Sequence, residues 1–350
     1  MKSFKLFVSD IPIVGALVFQ FAIFANLIFV CSDTYNYLLY PIPTLKDTIN
    51  PDALFYFLKY FTFLDFTIIH IAAFFSITLF FISTKLAYAT RSSFFKLIVF
   101  TSPFILSLVG LHLWSCAIKS GLSLAFITLA SVFLFFHGSS KSSYYLFLIF
   151  LALGLLIHWS SLILILAIVP CYYFHLPVTF RLSPLVLSFN RLRFNFLTYI
   201  SLKSFLALLV FSLLFGFSVL FFSGIFSSKF EAYDSIFRTA TNSYGRFFPL
   251  LSLYQSFIFL LLLPSKTILY DKFKLLNFCK NILLLNSIFA LLSLTILSAL
   301  TIRVSLPLQF IASFLSYGFF TDKKLIIFVL ANVFPYLYYI FYHFISYPTL

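Results

Sequence analysis

Tyr144–Phe174 reads YYLFLIFLALGLLIHWSSLILILAIVPCYYF, and whether it crosses a membrane once or twice decides the layout of everything after it. At 1.5 Å per residue, one helix over roughly 30 residues would be about 45 Å long, against a hydrocarbon core of about 30 Å. A single tilted span is conceivable. It would carry Arg181, Arg191, Arg193 and Lys203 to the side opposite Lys141 and invert every later loop. Two segments meeting at His158-Trp159-Ser160-Ser161 keep these cations together. Each is short for a full crossing, so the spacing predicts a short or re-entrant helical pair that dips in from the cytoplasmic side. Its polar tip, with His158 at mid-depth, would then face a cavity rather than lipid.

The rest of the chain bears this out by its charge pattern. Of 350 residues, 62% are hydrophobic and 9% charged, where a soluble domain carries roughly 25% charge. An all-α polytopic integral membrane protein follows, because backbone in lipid must satisfy its own hydrogen bonds. Apolar runs bounded by charge and Pro give about eleven segments, near 11–31, 66–83, 97–113, 117–136, 144–157, 160–174, 200–224, 247–264, 281–301, 306–320 and 325–345. Of the 23 Lys and Arg residues, 16 fall on alternate gaps, from Lys2 and Lys5 through Lys85, Arg91, Lys96 and Lys141 to Lys280, Lys323 and Lys324. Loops rich in Lys and Arg stay cytoplasmic, so the N-terminus is inside. The apolar run Ile11–Cys31 is too long for a signal-peptide core and reads as a retained first span.

The chain reads as a single transmembrane domain over 1–350, with outer loops 32–65 and 227–246. The first of these loops ends in ALFYFLKYF, which has the partly amphipathic character of a helix lying along the headgroups. A net charge of +14 is dispersed through short loops, which fits topogenic charge and anionic lipid contact rather than nucleic acid. The four cysteines, Cys31, Cys116, Cys171 and Cys279, have no CxxC or His-paired spacing and read as unpaired thiols without a metal. No cofactor motif is present: there is no P-loop, HExxH, GxSxG or paired carboxylate for a metal-bound nucleotide sugar.

Seven cations fall on the outer gaps against the rule: Lys46, Lys59, Lys119, Lys229, Arg238, Arg246 and Arg303. They suggest an anionic ligand at that face. Lys119 opens a crossing just after His112 and Trp114, where the helix dipole disfavours a cation but an anion would feel dipole and ammonium together. The alternative is a Lys snorkelling to the interface. Arg303 interrupts a long apolar run, and Arg suits bidentate phosphate recognition; it too reads alternatively as an interfacial snorkel. Arg238 and Arg246 flank a Ser/Thr/Asn-rich stretch beside Glu231 and Asp234, where solvated loop charge is the simpler reading. His158 in an apolar run is a functional candidate by position, or a histidine bonded between helices.

The stretch from Ser115 to Ile165, with KSGLSLAF followed by LALGLLIHWSSLIL, resembles the EpsG family of bacterial exopolysaccharide proteins, relatives of the Wzy-type polymerases. Those carry Arg-Gln-Gly-Leu-Ala before one helix and end the next on Ala-x-x-x-His-x-Ser-Ala. Asp33-Thr34-Tyr35-Asn36-Tyr37 echoes a further Asp-Tyr element, and Arg303 a late outer Arg. Lys119 and Ser120 stand here for Arg-Gln, and Ser161 for Ala. Lys keeps the charge and loses the bidentate fork.

The resemblance implies a glycosyltransferase of the bacterial inner membrane, without cofactor or metal. It would polymerise undecaprenyl-diphosphate-linked oligosaccharide units into O-antigen, capsule or exopolysaccharide, among membrane lipids and alongside chain-length regulator or flippase proteins. Lys119, Arg246, Arg303 and Arg238 would hold the diphosphate. Asp33, His158 and Glu231 are the candidate bases, and His112, Trp159 and Tyr35 further substrate contacts. A flippase for lipid-linked oligosaccharides is the alternative, and would call for cations deep in several helices. The charge sorting makes its own test. Cysteine scanning in a Cys-free background should label position 234 from outside the intact inner membrane; labelling only after permeabilisation would invert the topology.

Overall fold

The computed structural model describes residues 53–58, 68–88, 118–137, 140–158, 161–173, 180–181, 185–189, 192–196, 199–200, 244–264, 270–295, 305–319, 324, 326–332 and 334–335. The crossings expected at 11–31, 97–113 and 200–224 lie outside them. The chain divides into two compact units, Met1–Leu162 and Ile163–Leu350, and each is built on apolar helices. Three of these are long and apolar enough to cross a membrane: Ile68–Ala87, Ile118–Phe136 and Phe273–Leu291.

The first unit contains a short helix α1 (Ala53–Phe57), α2 (Ile68–Tyr88), α3 (Ile118–Phe136) and α4 (Lys141–Ile157), and it ends at the start of α5 (Ser161–Tyr173). Helices α2 and α3 run parallel. Ile68, Ile69 and Ala72 share a cluster with Ile118 and Leu122 at one end, and His137 Nε2 lies 3.2 Å from the Leu86 carbonyl at the other. Helix α4 starts behind a serine cap, Ser140 Oγ accepting from the Ser143 amide at 3.2 Å, and returns antiparallel to α3. Phe150 stacks on both Phe126 and Phe133. The face of α4 turned away from its neighbours exposes Tyr145, Leu148, Ile149 and Leu156, as a lipid-facing helix should.

The run that opened the sequence reading is two helices, as expected: α4 has 17 residues and α5 has 13. The break falls on His158, whose φ of −149° and ψ of 105° are extended. At 1.5 Å per residue the 17 residues of α4 reach about 25 Å, nearly the length of α3. His158 is therefore level with the start of α3, next to Ile157, which packs with Ile118. Both helices are shorter than the three of membrane-crossing length, as the spacing predicts.

The second unit holds the rest of α5, then α6 (Tyr244–Leu262), α7 (Tyr270–Thr295), α8 (Leu306–Ser316) and a 3₁₀ turn at Tyr317–Phe319. Between α5 and α6 lie four short strands, β1 (Phe180–Arg181), β2 (Leu185–Phe189), β3 (Leu192–Phe196) and β4 (Tyr199–Ile200). They pair antiparallel as a nested ribbon, with Phe180 opposite Ile200 and Phe189 opposite Leu192. An all-α reading missed this ribbon, which falls where the sequence showed only a basic loop; the membrane-length elements are all helices.

Helix α7 starts eleven residues before the apolar run at 281–301. Lys280, read as a cytoplasmic loop cation, is thus inside a helix and 7% exposed. Next to it, Asn281 Nδ2 donates to the Cys171 carbonyl at 3.2 Å. Cys171 and Cys279 are free thiols, as expected. Lys324 Nζ donates to the Leu262 carbonyl at 2.6 Å, so a cation closes the C-terminal end of α6, where the dipole favours it. Partial burial holds the Lys324 ammonium below the usual Lys range.

One contact sets how near α3 and α4 can lie. A Cβ built on Gly154 would stand 3.1 Å from Ile127 Cγ1 and 3.2 Å from the Ser123 carbonyl oxygen. Ser123 O belongs to the backbone and cannot swing aside. Gly154→Ala should therefore lower stability by about 1–3 kcal/mol, read as a fall in thermal-unfolding midpoint in detergent. An unchanged midpoint would mean that the helices separate freely there.

Candidate functional site

The two segments KSGLSLAF and ALGLLIHWSS, about 35 residues apart in sequence, pack directly against each other. Ser123 is the link. Its Oγ donates to the Gly154 carbonyl at 2.7 Å and lies 2.5 Å from Ser161 Oγ. All three groups are buried. The Ser161 amide in turn donates to the His158 carbonyl at 2.9 Å. One hydroxyl thus ties α3 to the last turn of α4 and the first residue of α5, and fixes the extended break between them.

Register then carries the chemistry to one end of the bundle. Because α3 and α4 are antiparallel, one turn back from Ser123 is Lys119, and one turn on from Gly154 is His158. The two lie at the same level, about one helical pitch beyond the serine bridge, or roughly 5 Å. Lys119 is only 7% exposed, and its Nζ sits 5.3 Å from the centroid of the Phe55 ring. A snorkelling lysine would leave its ammonium at the water boundary; here the ammonium is drawn into the protein over an aromatic face, a contact worth about 0.5–2 kcal/mol. The same end is closed by an apolar cluster of Phe55, Ile68, Ile69, Ala72, Ile118, Leu122 and Ile157.

The aromatic stretch expected to lie along the headgroups thus has a second role. Helix α1 turns Phe55 into the core at 1% exposed while Phe57 stays out. Lys85 and Lys141 belong to the opposite end of this unit, with Leu86 and His137. The sorting of cations to alternate gaps is therefore matched by their sorting to opposite helix ends.

Of the residues singled out from sequence, Lys119 and His158 are brought to one end of the same helix pair. Arg246 falls in the first turn of α6 rather than in a loop. Asp33, Tyr35, His112, Trp159, Glu231, Arg238 and Arg303 lie outside the described residues. Sequence reasoning missed Ser123 and Phe55. The former was legible as the polar residue one turn after Lys119 in an apolar helix; the latter was one aromatic among 54 phenylalanines and carried no signal of its own. Compared with known protein families, characterised proteins and solved structures, the chain matches none.

The serine bridge can be weighed. Ser123→Ala removes two buried bonds and leaves the Ser161 hydroxyl to find another partner, while the Gly154 carbonyl keeps the His158 amide, a loss of about 1–3 kcal/mol. Ser161→Ala alone should cost less. A double-mutant cycle should return a coupling near 1 kcal/mol, in the range for residues in one hydrogen-bond network. Additive effects would show that the two hydroxyls do not act together.

Proposed function

We propose that this protein is a polysaccharide repeat-unit polymerase of a bacterial inner membrane, a glycosyltransferase acting on undecaprenyl-diphosphate-linked oligosaccharides at the outer face. The observation that carries the reading is the serine bridge, which packs together the two segments on which the EpsG/Wzy resemblance rests and aligns Lys119 with His158. The reaction transfers a growing glycan from one lipid diphosphate to a sugar hydroxyl on another lipid-linked unit. The anomeric C–O bond to the diphosphate breaks, a glycosidic bond forms, the hydroxyl proton passes to a base, and the lipid diphosphate leaves.

Each part of that balance has a residue class to serve it. Charge develops on the leaving diphosphate, and fixed cations stabilise it more in the transition state than in the ground state. Lys119 is the cation already buried against an aromatic face; Arg303, Arg246 and Arg238 are the further cations that the resemblance offers. His158, Asp33 and Glu231 are the bases available to the acceptor hydroxyl. His112, Trp159 and Tyr35 would line the sugar path. No cofactor is required by this chemistry.

Polymer and lipid-linked intermediates in the producing cell test the reading. Lys119→Ala or Arg303→Ala should leave the protein inserted and abundant, abolish polymer, and cause single lipid-linked units to accumulate on the outer leaflet. Lys119→Arg should retain activity; Arg303→Lys should lose much of it, because an ammonium cannot grip phosphate bidentately. Accumulation on the inner leaflet would favour the flippase. Unchanged polymer in both Ala variants would remove these cations from the mechanism.

A further inference from the structure

The second unit holds a polar cluster midway along α6. Asn286 Nδ2 of α7 donates to Ser252 Oγ at 2.9 Å and to Ser256 Oγ at 2.6 Å. Beside them on α6, Gln255 Nε2 donates to the Ala331 carbonyl at 3.0 Å, and Gln255 Oε1 accepts from Gln309 Nε2 of α8. Ser252, Gln255, Ser256 and Asn286 are fully buried, and Gln309 is 2% exposed. Side-chain hydrogen bonds of this kind hold helices together where lipid offers no hydrophobic drive.

The cluster has more polar atoms than the helices use. Among the described residues, Gln309 Oε1, Asn286 Oδ1 and Ser305 Oγ are buried with no hydrogen-bond partner. The orientation of Gln309 is forced. The Ala331 carbonyl only accepts, so it fixes the Gln255 amide, which turns its oxygen to Gln309 and takes the Gln309 amide hydrogen. Gln309 Oε1 is then left as an acceptor. For Asn286 the serine hydroxyls suit either setting of the amide, and either setting leaves one end over. Ser305, one turn before Gln309 and itself in helical conformation at φ −62° and ψ −50°, has a buried hydroxyl that bonds no backbone amide.

We propose that this cluster is a saccharide-binding subsite inside the second unit, with Gln309, Asn286 and Ser305 receiving sugar hydroxyls. A hydroxyl both donates and accepts, so it satisfies the fixed acceptor of Gln309 and the two ambivalent groups alike. A cation suits the matching less well. Helices α6 and α8 contain no Asp or Glu, and α7 only Asp271 in its first turn, so a bound cation would be a buried charge without a counter-ion. Water has the same hydroxyl chemistry as a sugar, and the experiment separates the two. The choice of saccharide rests on the polymerase reading.

Ser305→Ala is the decisive variant. It removes an atom that bonds nothing among the described residues, so the unliganded protein should unfold at the same temperature or slightly higher. The full-length protein, in a detergent without a sugar headgroup, is titrated with neutral trisaccharides of glucose, mannose and N-acetylglucosamine while its thermal-unfolding midpoint is followed. At least one should raise the wild-type midpoint in a saturable way. Loss of one hydrogen bond in Ser305→Ala should weaken that response about 2- to 10-fold. Gly154→Ala in the first unit, outside the cluster, should lower the starting midpoint and keep the response.

Equal shifts in wild type and Ser305→Ala would be the general stabilising effect of excluded sugars, and would overturn the proposal. So would no shift with any of the three, which would leave the cluster to water. Binding is read without turnover: a saccharide response together with unaltered polymer in cells that lack the protein would sink the polymerase and spare the subsite. Loss of polymer in those cells with no saccharide response would do the reverse.

Discussion

A hydroxyl shared by three helices is what the first unit depends on. Ser123 Oγ reaches both the Gly154 carbonyl and Ser161 Oγ only because residue 154 has no side chain to hold the backbones apart. In lipid, close approach and interhelical hydrogen bonds are the main sources of helix association. One small residue and one hydroxyl therefore do together what a large apolar interface does in water. They also set register, and register is what carries Lys119 and His158 to the same end. Removing the bridge would not merely loosen a contact; it would free α4 to slide along α3 and undo the alignment of the two polar residues.

The burial of Lys119 bears on the choice between its two readings. An ammonium in a poorly solvated place is costly unless something returns the lost hydration. Phe55 returns part of it through the negative face of its ring. A residue placed only for topology gains nothing from this arrangement, since any water-facing rotamer would serve. A residue placed to meet an anion gains a great deal, because the same low dielectric that penalises a buried cation strengthens its attraction to a phosphate.

How much of this was legible in the sequence follows from which forces leave a mark there. Helix positions were, since lipid demands long apolar runs: the segments expected at 66–83, 117–136, 144–157, 160–174 and 306–320 coincide with helices to within a few residues. Errors came where polar residues belong to a helix. Lys141–Ser143 extend α4, and Tyr270–Lys280 extend α7, because polar side chains at helix ends satisfy caps and interfaces without breaking the backbone pattern. That is why the apolar pattern alone places Lys280 in a loop. The ribbon at 180–200 alternates poorly and sits among cations, so neither period nor hydropathy announced it.

Pairings were the least legible of all. Nothing in KSGLSLAF says that its second serine meets a glycine thirty-one positions on, and nothing in the apolar run around Gln255 says that its amide will be passed to Gln309. Single polar residues in a greasy helix announce that a partner exists, since hydrocarbon would otherwise charge the full cost of desolvation. Which partner it is depends on helix order and register, and those are properties of the assembled unit. The two clusters differ in this respect. In the first unit every hydroxyl of the bridge is accounted for, which is the signature of a joint. In the second, a fixed acceptor and an idle serine hydroxyl remain after the helices have been joined, and a surplus that a joint does not require is the stronger ground for expecting something to bind there.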